Sequence, residues 1–531
     1  MQGTLTIGML GQAGGSIMDE LYILAIDCGT QSLRAIIFDK EGNAAGTEKV
    51  EFEPYYSVNP GWAEQDSEVY WNSVCTACRN LEKKFPEAWA KVGGVVVTTM
   101  RDTAVVIDKE GRVLRPVILW LDQRKAVCSW PLPLHDRIMF KVAGKQKAAE
   151  LARARSRANW IKENQPEIWD KTYKYIQLSG FFILKLTGKI IDSSACQIGH
   201  IPIDYKNRSW PKSNGNFRWE LFGVEREKLT DIVEPGSIIG GVTREASEAT
   251  GLKIGLPVIA GASDKGCETL GVGCINPDCA NISFGTTATV QVTSKKYIEP
   301  LRFMPAYMAA IPGHFNPEVQ IYRGYWMISW FKKYFALEEE IEAREKGLPV
   351  EAVLNEKLKS VPAGCDGLIL QPYWSAGLDT PDARGAIIGF KDLHTKIHIY
   401  RSIIEGINFA LMEGMEKIEK KSGKKVNDIM VSGGGSQSDI ICQITSDMFN
   451  LPVHRIQTYE TSGLGAAIIG FVGLGIYKTY DEAIKKMVHY KDTFMPDKEN
   501  AQIYKKLYEK VYKRIYPSIS NVYRDINKVM Q

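Results

Sequence analysis

Leu21–Asn43 reads LYILAIDCGTQSLRAIIFDKEGN, and the architecture follows from it. An apolar run, Tyr22–Ile26, meets Asp27-Cys28-Gly29-Thr30, and a second run, Ala35–Phe38, ends in Asp39-Lys40-Glu41-Gly42-Asn43. This pattern predicts strand, tight glycine turn, strand, turn. The apolar runs are too continuous for a half-exposed sheet, so both strands should be buried on two faces. Asn281–Thr293, NISFGTTATVQVT, repeats the arrangement, with Gly285 about half a chain length beyond Gly29. Two similar hairpins, each opening about half of the chain, predict duplicated domains facing each other. The glycine-rich passage 262–280 is the place for a boundary, and we set it at 264/265. The expected division is a flexible extension over 1–18, one domain over 19–264 and another over 265–531.

Two further stretches have the same flavour. Val426–Asn450 predicts a strand, a glycine-rich loop and a helix, with Ile440, Ile441, Ile444 and Met448 at helical spacing. Glu460–Gly470, ETSGLGAAIIG, is a loop entering a helix of small residues. The tail after Asp497 reads as a helix with Ile503, Leu507, Val511 and Ile515 on its packing face and Tyr504, Tyr508 and Tyr512 as an aromatic flank.

Composition narrows the function. Apolar residues are 44% and charged residues 24%, which is ordinary for a globular chain and excludes disordered or collagen-like classes. Lys+Arg 66 against Asp+Glu 62 leaves a charge of only +4, which argues against nucleic acid or an anionic membrane as partner. No apolar run approaches the ~20 residues of a bilayer span, and residues 1–18 lack the basic start of a secretory signal. A cytoplasmic protein with reduced thiols is expected. Cys75 and Cys78 form a CxxC with no second pair to complete a zinc site, and His394 and His398 read as surface residues.

A glycine turn between strands exposes backbone N–H groups, and a neighbouring hydroxyl adds a donor, so such turns can wrap phosphates. The loop Gly433–Gly435 before a helix is a second kind of anion site. An aspartate beside a phosphate loop, such as Asp27, can order Mg²⁺ through water. The chain has no Walker A pattern and no GxGxxG after a strand, so P-loop and Rossmann readings lack support. Asp264 follows the apolar run Leu256–Ala260 among small residues that would let a ligand approach. It reads either as a proton acceptor for a hydroxyl or as a helix N-cap. Arg101 and Asp102 after Val95–Thr99, and Trp120 and Asp122 after Val117–Leu119, offer polar and aromatic groups to a polyol, or a surface ion pair and a core indole.

Taken together these residues resemble the FGGY carbohydrate kinases, within the actin, hexokinase and Hsp70-like ATPase superfamily. The resemblance covers about residues 20–515. Asp27-Cys28-Gly29-Thr30 with Arg34 is similar to the first phosphate motif, Phe284-Gly285-Thr286-Thr287 to the second, and Ser432-Gly433-Gly434-Gly435-Ser436 to the adenosine motif. Gly385–Phe390 with His398, Ser402 and Glu405 resembles the C-terminal signature, Phe390 replacing the usual aliphatic. Arg157-Ala158-Asn159-Trp160-Ile161 is a looser match, with Arg where Lys is usual, and the neighbouring segment 128–153 is atypical. The flank Val113–Trp120 resembles xylulokinases, yet those carry Met-His-Gly where this chain has Met100-Arg101-Asp102. Glycerol kinases, with Arg-Glu there, are nearer at that point.

The resemblance implies an α/β fold of two RNase H-like domains with an interdomain cleft, the first holding most of the sugar site and the second most of the nucleotide site. It implies ATP and Mg²⁺ as cofactors and a small sugar or polyol as partner, and homodimers are common among the proteins resembled. Position by position it implies Asp264 as catalytic base and Asp27 as the acid near the metal. Arg101, Asp102, Trp120 and Asp122 become substrate contacts. Gly29, Thr30, Arg34, Gly285, Thr286, Gly433, Gly434 and Ser438 become nucleotide contacts. The expected reaction is ATP-dependent phosphorylation of a ketose such as a pentulose, with a glycerol-like polyol or a non-catalytic ATP-binding sensor as the alternatives.

Overall fold

In the computed structural model, Tyr22–Cys28 (β1) and Ser32–Phe38 (β2) pair antiparallel, with Ile26 opposite Ala35 and Asp27 opposite Arg34. The structure describes residues 20–301, 304–377 and 380–530, so the extension read over 1–18 lies outside the described residues. Ile23, Leu24, Ala25 and Ile26 on β1 and Leu33, Ala35, Ile36, Ile37 and Phe38 on β2 have no solvent exposure, as expected of strands covered on both faces. Each large aliphatic side chain buried in this way contributes about 1.5–3 kcal/mol.

Ala44–Glu51 (β3), Val92–Thr99 (β4), Ile238–Gly241 (β5) and Pro257–Ile259 (β6) complete a six-stranded sheet in the order β5-β6-β4-β1-β2-β3. Only the β1–β4 and β4–β6 pairs are parallel. Helix Ser67–Lys84 (α1) starts on the Asp66 carboxylate, which accepts from the Glu68 N–H at 3.0 Å, and buries Tyr70, Val74, Ala77, Cys78 and Leu81. Arg157–Asn164 (α2) and Asp264–Gly271 (α3) belong to the same unit.

The second unit repeats the plan. Cys279–Phe284 (β7), Ala288–Val292 (β8), Glu318–Ile321 (β9), Asp428–Ser432 (β10), Val453–Ile456 (β11) and Tyr490–Phe494 (β12) form a six-stranded sheet in the order β9-β8-β7-β10-β11-β12. Its pairings are antiparallel, antiparallel, parallel, parallel and antiparallel in that order. Reading the first sheet as β3-β2-β1-β4-β6-β5 gives the same five relations, so the second hairpin is the structural counterpart of the first. Lys396–Ser422 (α4) and Asp439–Phe449 (α5) pack in this unit.

The division of the chain differs from a single cut at 264/265. The first unit runs through Gly271 and also takes in 308–313 and 462–487. Most of Thr461–Gly473 (α6) therefore returns to the first unit, and its glycines explain why. A β-carbon at Gly465 would overlap the Cys267 carbonyl, one at Gly463 would press on Ile36 and Phe38, and one at Gly470 on Ile23. Small residues let the helix axis settle directly on β1, β2 and α3. Among the described residues no helix is long and apolar enough to cross a membrane.

One expectation fails and another holds only in part. His398 is buried, not a surface residue: it closes a capping box with Thr395 at the start of α4, accepting from the Thr395 N–H at 3.1 Å, and its Nε2 lies 3.3 Å from Asp366. The tail helix beginning at Lys498–Leu507 (α7) buries Ile515 and half-buries Leu507 as expected, but its tyrosines form the deeper face. Tyr504, Tyr508 and Tyr512 are buried, whereas Ile503 is 42% and Val511 39% exposed. The tyrosines pack on Phe409, and a π-turn over Tyr508–Tyr512 keeps them facing it. The Tyr504 hydroxyl donates to Glu405 Oε1 at 2.7 Å and accepts from Arg401 Nη2 at 2.9 Å, completing a buried ion pair that a hydrophobic count cannot foresee.

Removing that hydroxyl leaves two buried charged groups short of a partner. Tyr504→Phe should lower the unfolding free energy by about 1–3 kcal/mol in urea titrations, while Ile503→Ala at the exposed position stays within about 0.5 kcal/mol. A larger loss at Ile503 than at Tyr504 would mean that the other face is the packed one.

Candidate active site

The carboxyl ends of β1 and β4 gather most of the expected residues of the first unit. The Met100 N–H donates to the Cys28 carbonyl at 3.0 Å, so the parallel pairing continues past both strand ends and sets Arg101 and Asp102 beside the Gly29 turn. That turn is closed by the Gly29 N–H donating to the Ser32 carbonyl at 3.0 Å. Strand ends of this kind are where ligands bind in open α/β sheets. Trp120 lies with its Nε1–H donating to Thr30 Oγ1 at 3.0 Å and its indole 41% exposed. Arg157, at the start of α2, donates from Nη2 to the Trp120 carbonyl at 3.0 Å. Asp27 and Arg34 face one another across the β1–β2 ladder.

Asp264 opens α3, and the loop before it is held from several sides. The Ser193 hydroxyl donates to the Gly261 carbonyl at 2.6 Å, and the Ser263 N–H donates to the Ala195 carbonyl at 3.2 Å. Behind Ser193 sits Asp192, fully buried, accepting from Ser179 Oγ, the Ser193 N–H and Gln197 Nε2, each at 2.7 Å. Burial pushes its carboxyl up to about 6 despite those bonds. A β-carbon at Gly261 would overlap the Val97 carbonyl, so that small residue serves the close packing of the loop on β4.

The Asp264 carboxylate accepts from the Lys265 N–H at 2.8 Å, and Arg101 Nε lies 3.8 Å from its Oδ1. Burial raises the Asp264 carboxyl above the usual range, against the opposing pull of Arg101 and Lys265. Lys265 itself is paired with Glu268 at 2.6 Å. A raised but still ionisable carboxyl is suited to accept a proton near neutral pH.

Two expected contacts are already engaged. Asp122 is turned away from this group: its oxygens accept from the Ala63 N–H at 2.6 Å and from Arg124 at 2.8 and 2.7 Å, within a buried network that includes Glu64 and Arg115. Asp122 thereby fixes the turn that carries Trp120. Asp102 accepts from the His200 N–H at 2.9 Å and faces His200 Nδ1 at 2.8 Å and Arg157 Nη1 at 2.9 Å. Burial works to raise its carboxyl, but Arg157 and His200 outweigh that and hold it below the usual range. His200 was not singled out from the sequence. It stands 98 positions from Asp102, and the only local sign is the run of small and polar residues from Asp192 to Gly199.

In the second unit, Gly285 and Thr286 form the β7–β8 turn, and their carbonyls accept from the N–H groups of Tyr325 at 3.1 Å and Trp326 at 3.4 Å. Gly433 has φ +78°, a conformation that favours glycine, and a β-carbon there would press on the Phe284 backbone. One at Gly435 would overlap the Tyr325 ring. Gly434 between them has nothing within 4 Å of where a β-carbon would sit, so this face of the loop is open. Ser438 caps α5, its hydroxyl accepting from the Ile441 N–H at 3.4 Å. Among the described residues no three His, Cys, Asp or Glu side chains gather as a metal cage.

Comparison with known proteins follows the same two units. The N-terminal domain of the FGGY family of carbohydrate kinases matches residues 22–271 and the C-terminal domain matches residues 280–474. An uncharacterized sugar kinase of Escherichia coli is 30% identical over 494 residues, covering 92% of each chain. A xylulose kinase of Lactococcus lactis is 28% identical over 494 residues, covering 92% of this chain and 95% of its own. The crystal structure of a xylulose kinase from Rhodospirillum rubrum superposes with a TM-score of 0.80 at 23% identity, covering 95% of this chain and 100% of that one, a likeness of fold. The chain belongs to the FGGY family of carbohydrate kinases.

Proposed function

We propose that the protein transfers the γ-phosphoryl group of ATP to a hydroxyl of a small ketose such as a pentulose, with Asp264 as the general base. The observation that carries this reading is Asp264 itself: a carboxylate raised by burial, seated at the start of α3 with Arg101 3.8 Å away. Relatives named xylulose kinase, and the xylulokinase-like flank Val113–Trp120, support the substrate class. Arg101, in place of the Met-His-Gly histidine of xylulokinases, favours a glycerol-like polyol as the second reading.

The residues fit a magnesium nucleotide. The open face at Gly434 leaves room for an adenosine, and the turn after Gly29, whose own N–H is held by the Ser32 carbonyl, and the turn at Gly285–Thr286 would present backbone to phosphates. Asp27 offers a carboxylate of the kind Mg²⁺ takes, since that ion keeps several of its waters and needs only one or two carboxylates. When bound, the magnesium nucleotide supplies the phosphoryl group with its charge already partly neutralised. In the first unit Asp27, Thr30 and Arg34, and in the second Gly285, Thr286, Gly433, Gly434 and Ser438, would hold it, Ser438 through the N-terminus of α5. Arg101 holds an acceptor hydroxyl near Asp264, and the Trp120 face packs on the C–H surface of the sugar. Asp264 Oδ takes the proton of the attacking hydroxyl, while the Ser193–Gly261 and Ser263–Ala195 bonds fix its position.

Asp264→Asn should reduce sugar phosphorylation by ~10²–10⁴-fold while ATP still binds in calorimetry; near-normal turnover removes the assigned base. Protonation of Asp264 disables it, so the acid limb of kcat/KM should lie above the ordinary carboxylate value of ~4. Arg101 pulls that value down, so Arg101→Met should move the limb to higher pH, and an unmoved limb would assign it to another group. Gly434→Ala should leave Tm unchanged and raise KM for ATP several-fold; unchanged kinetics would place the nucleotide elsewhere.

A further inference from the structure

The expected direct contact between Asp102 and a sugar meets an obstacle, because both carboxylate oxygens are taken. Oδ1 accepts from the His200 backbone N–H at 2.9 Å; Oδ2 faces His200 Nδ1 at 2.8 Å and Arg157 Nη1 at 2.9 Å. The arrangement is built into the backbone. Asp102 has φ +53°, which a non-glycine residue seldom adopts without cause. Gly199 has φ +130°, and a β-carbon there would overlap the Asp102 carboxylate. The Asp102 N–H donates to the Ile198 carbonyl at 3.0 Å, which ties the two segments together. Arg157 is anchored in turn by the carbonyls of Trp120 at 3.0 Å and Arg155 at 3.1 Å.

This constellation fixes a proton. Nδ1 of His200 touches an anion and a guanidinium, the latter at 2.8 Å. The guanidinium only donates, but the two hydrogens of Nη1 already have oxygen acceptors in Asp102 Oδ2 at 2.9 Å and the Arg155 carbonyl at 3.1 Å, so Nδ1 need not accept from it; a bare Nδ1 would set its lone pair against the charged oxygen 2.8 Å away, whereas an Nδ1–H donates to that oxygen. The neutral ring then carries its free lone pair on Nε2, on the opposite edge. Among the described residues that nitrogen has no hydrogen-bond partner, and the His200 side chain is the most exposed of the three at 25%, against 17% for Asp102 and 4% for Arg157. Phe222 stands edge-on to one side of the ring at 6.3 Å. Arg101, adjacent to Asp102 in the chain, reaches Asp264 at 3.8 Å, so the carboxylate that holds the His200 ring is the chain neighbour of the residue that reaches the proposed base.

We infer that His200 is a specificity-determining contact for the acceptor: its Nε2 accepts a hydrogen bond from a second hydroxyl of the polyol, and Asp102 is the positioning residue that sets its tautomer. The inference rests on the reading of Asp264 as the base.

Two measurements test it. Nitrogen NMR of the histidine rings in the full chain at pH 8 needs no acceptor. The His200 signal, identified among seven histidines by its loss in His200→Gln, should show the Nδ1–H tautomer with Nε2 bare, and Asp102→Asn should abolish that preference. A His200 ring protonated on Nε2 overturns the inference. In steady-state kinetics with the best acceptor among D-xylulose, D-ribulose, D-fructose and glycerol, His200→Ala should raise the acceptor KM about tenfold and leave KM for ATP unchanged. His200→Gln, whose amide oxygen can stand in for Nε2, should recover much of that loss, which a purely structural role would not predict. An unchanged acceptor KM in His200→Ala overturns the inference while inactivity of Asp264→Asn leaves the base in place. An active Asp264→Asn overturns the base instead.

Discussion

A tight glycine turn between two buried strands brings the chain out at the end of a parallel pair, where small residues leave the backbone accessible to a ligand. The chain builds this twice, at Gly29–Thr30 and at Gly285–Thr286, each beside the parallel neighbour of its first strand. The rest is arranged around that constraint. β4 runs out alongside the first turn to place Arg101 and Asp102; β10 runs out alongside the second to place Gly433 and Gly434. A kinase needs little covalent chemistry from its protein, so most of its work is aiming donors at phosphates and one carboxylate at a hydroxyl.

Much of this was legible along the chain, because both hairpins are local. Their strands are too apolar to be half-exposed, and their glycine turns fall at the strand ends, so Leu21–Asn43 and Asn281–Thr293 predict what is found. The loop at Gly433 and the helix after it are equally local, as is the step from the apolar run Leu256–Ala260 into α3.

What could not be read was set by partners distant in sequence. Asp122 and Asp102 look alike as acids after strands, but Asp122 is consumed by Arg124 and the Ala63 N–H, and Asp102 by Arg157 and His200. The tail helix shows two candidate faces, and a polar bond decides between them: the Tyr504 hydroxyl between Arg401 and Glu405 draws the tyrosines inward. The small residues of 260–263 suggest room for a ligand, yet Gly261 is small because the Val97 carbonyl lies against it. Helix α6 follows the second sheet in the chain but packs largely in the first unit, since only glycines permit so close an approach to Cys267 and Ile23.

Phosphoryl transfer to a sugar hydroxyl can be followed directly by phosphorus NMR of the purified full chain. With magnesium ATP and D-xylulose, D-ribulose, D-fructose or glycerol in turn, one acceptor should yield one phosphomonoester for each ADP formed, and no ADP should accumulate without it. ADP released at the same rate with and without every acceptor, and no phosphomonoester in any tube, would show that the chain is not a sugar or polyol kinase for these acceptors.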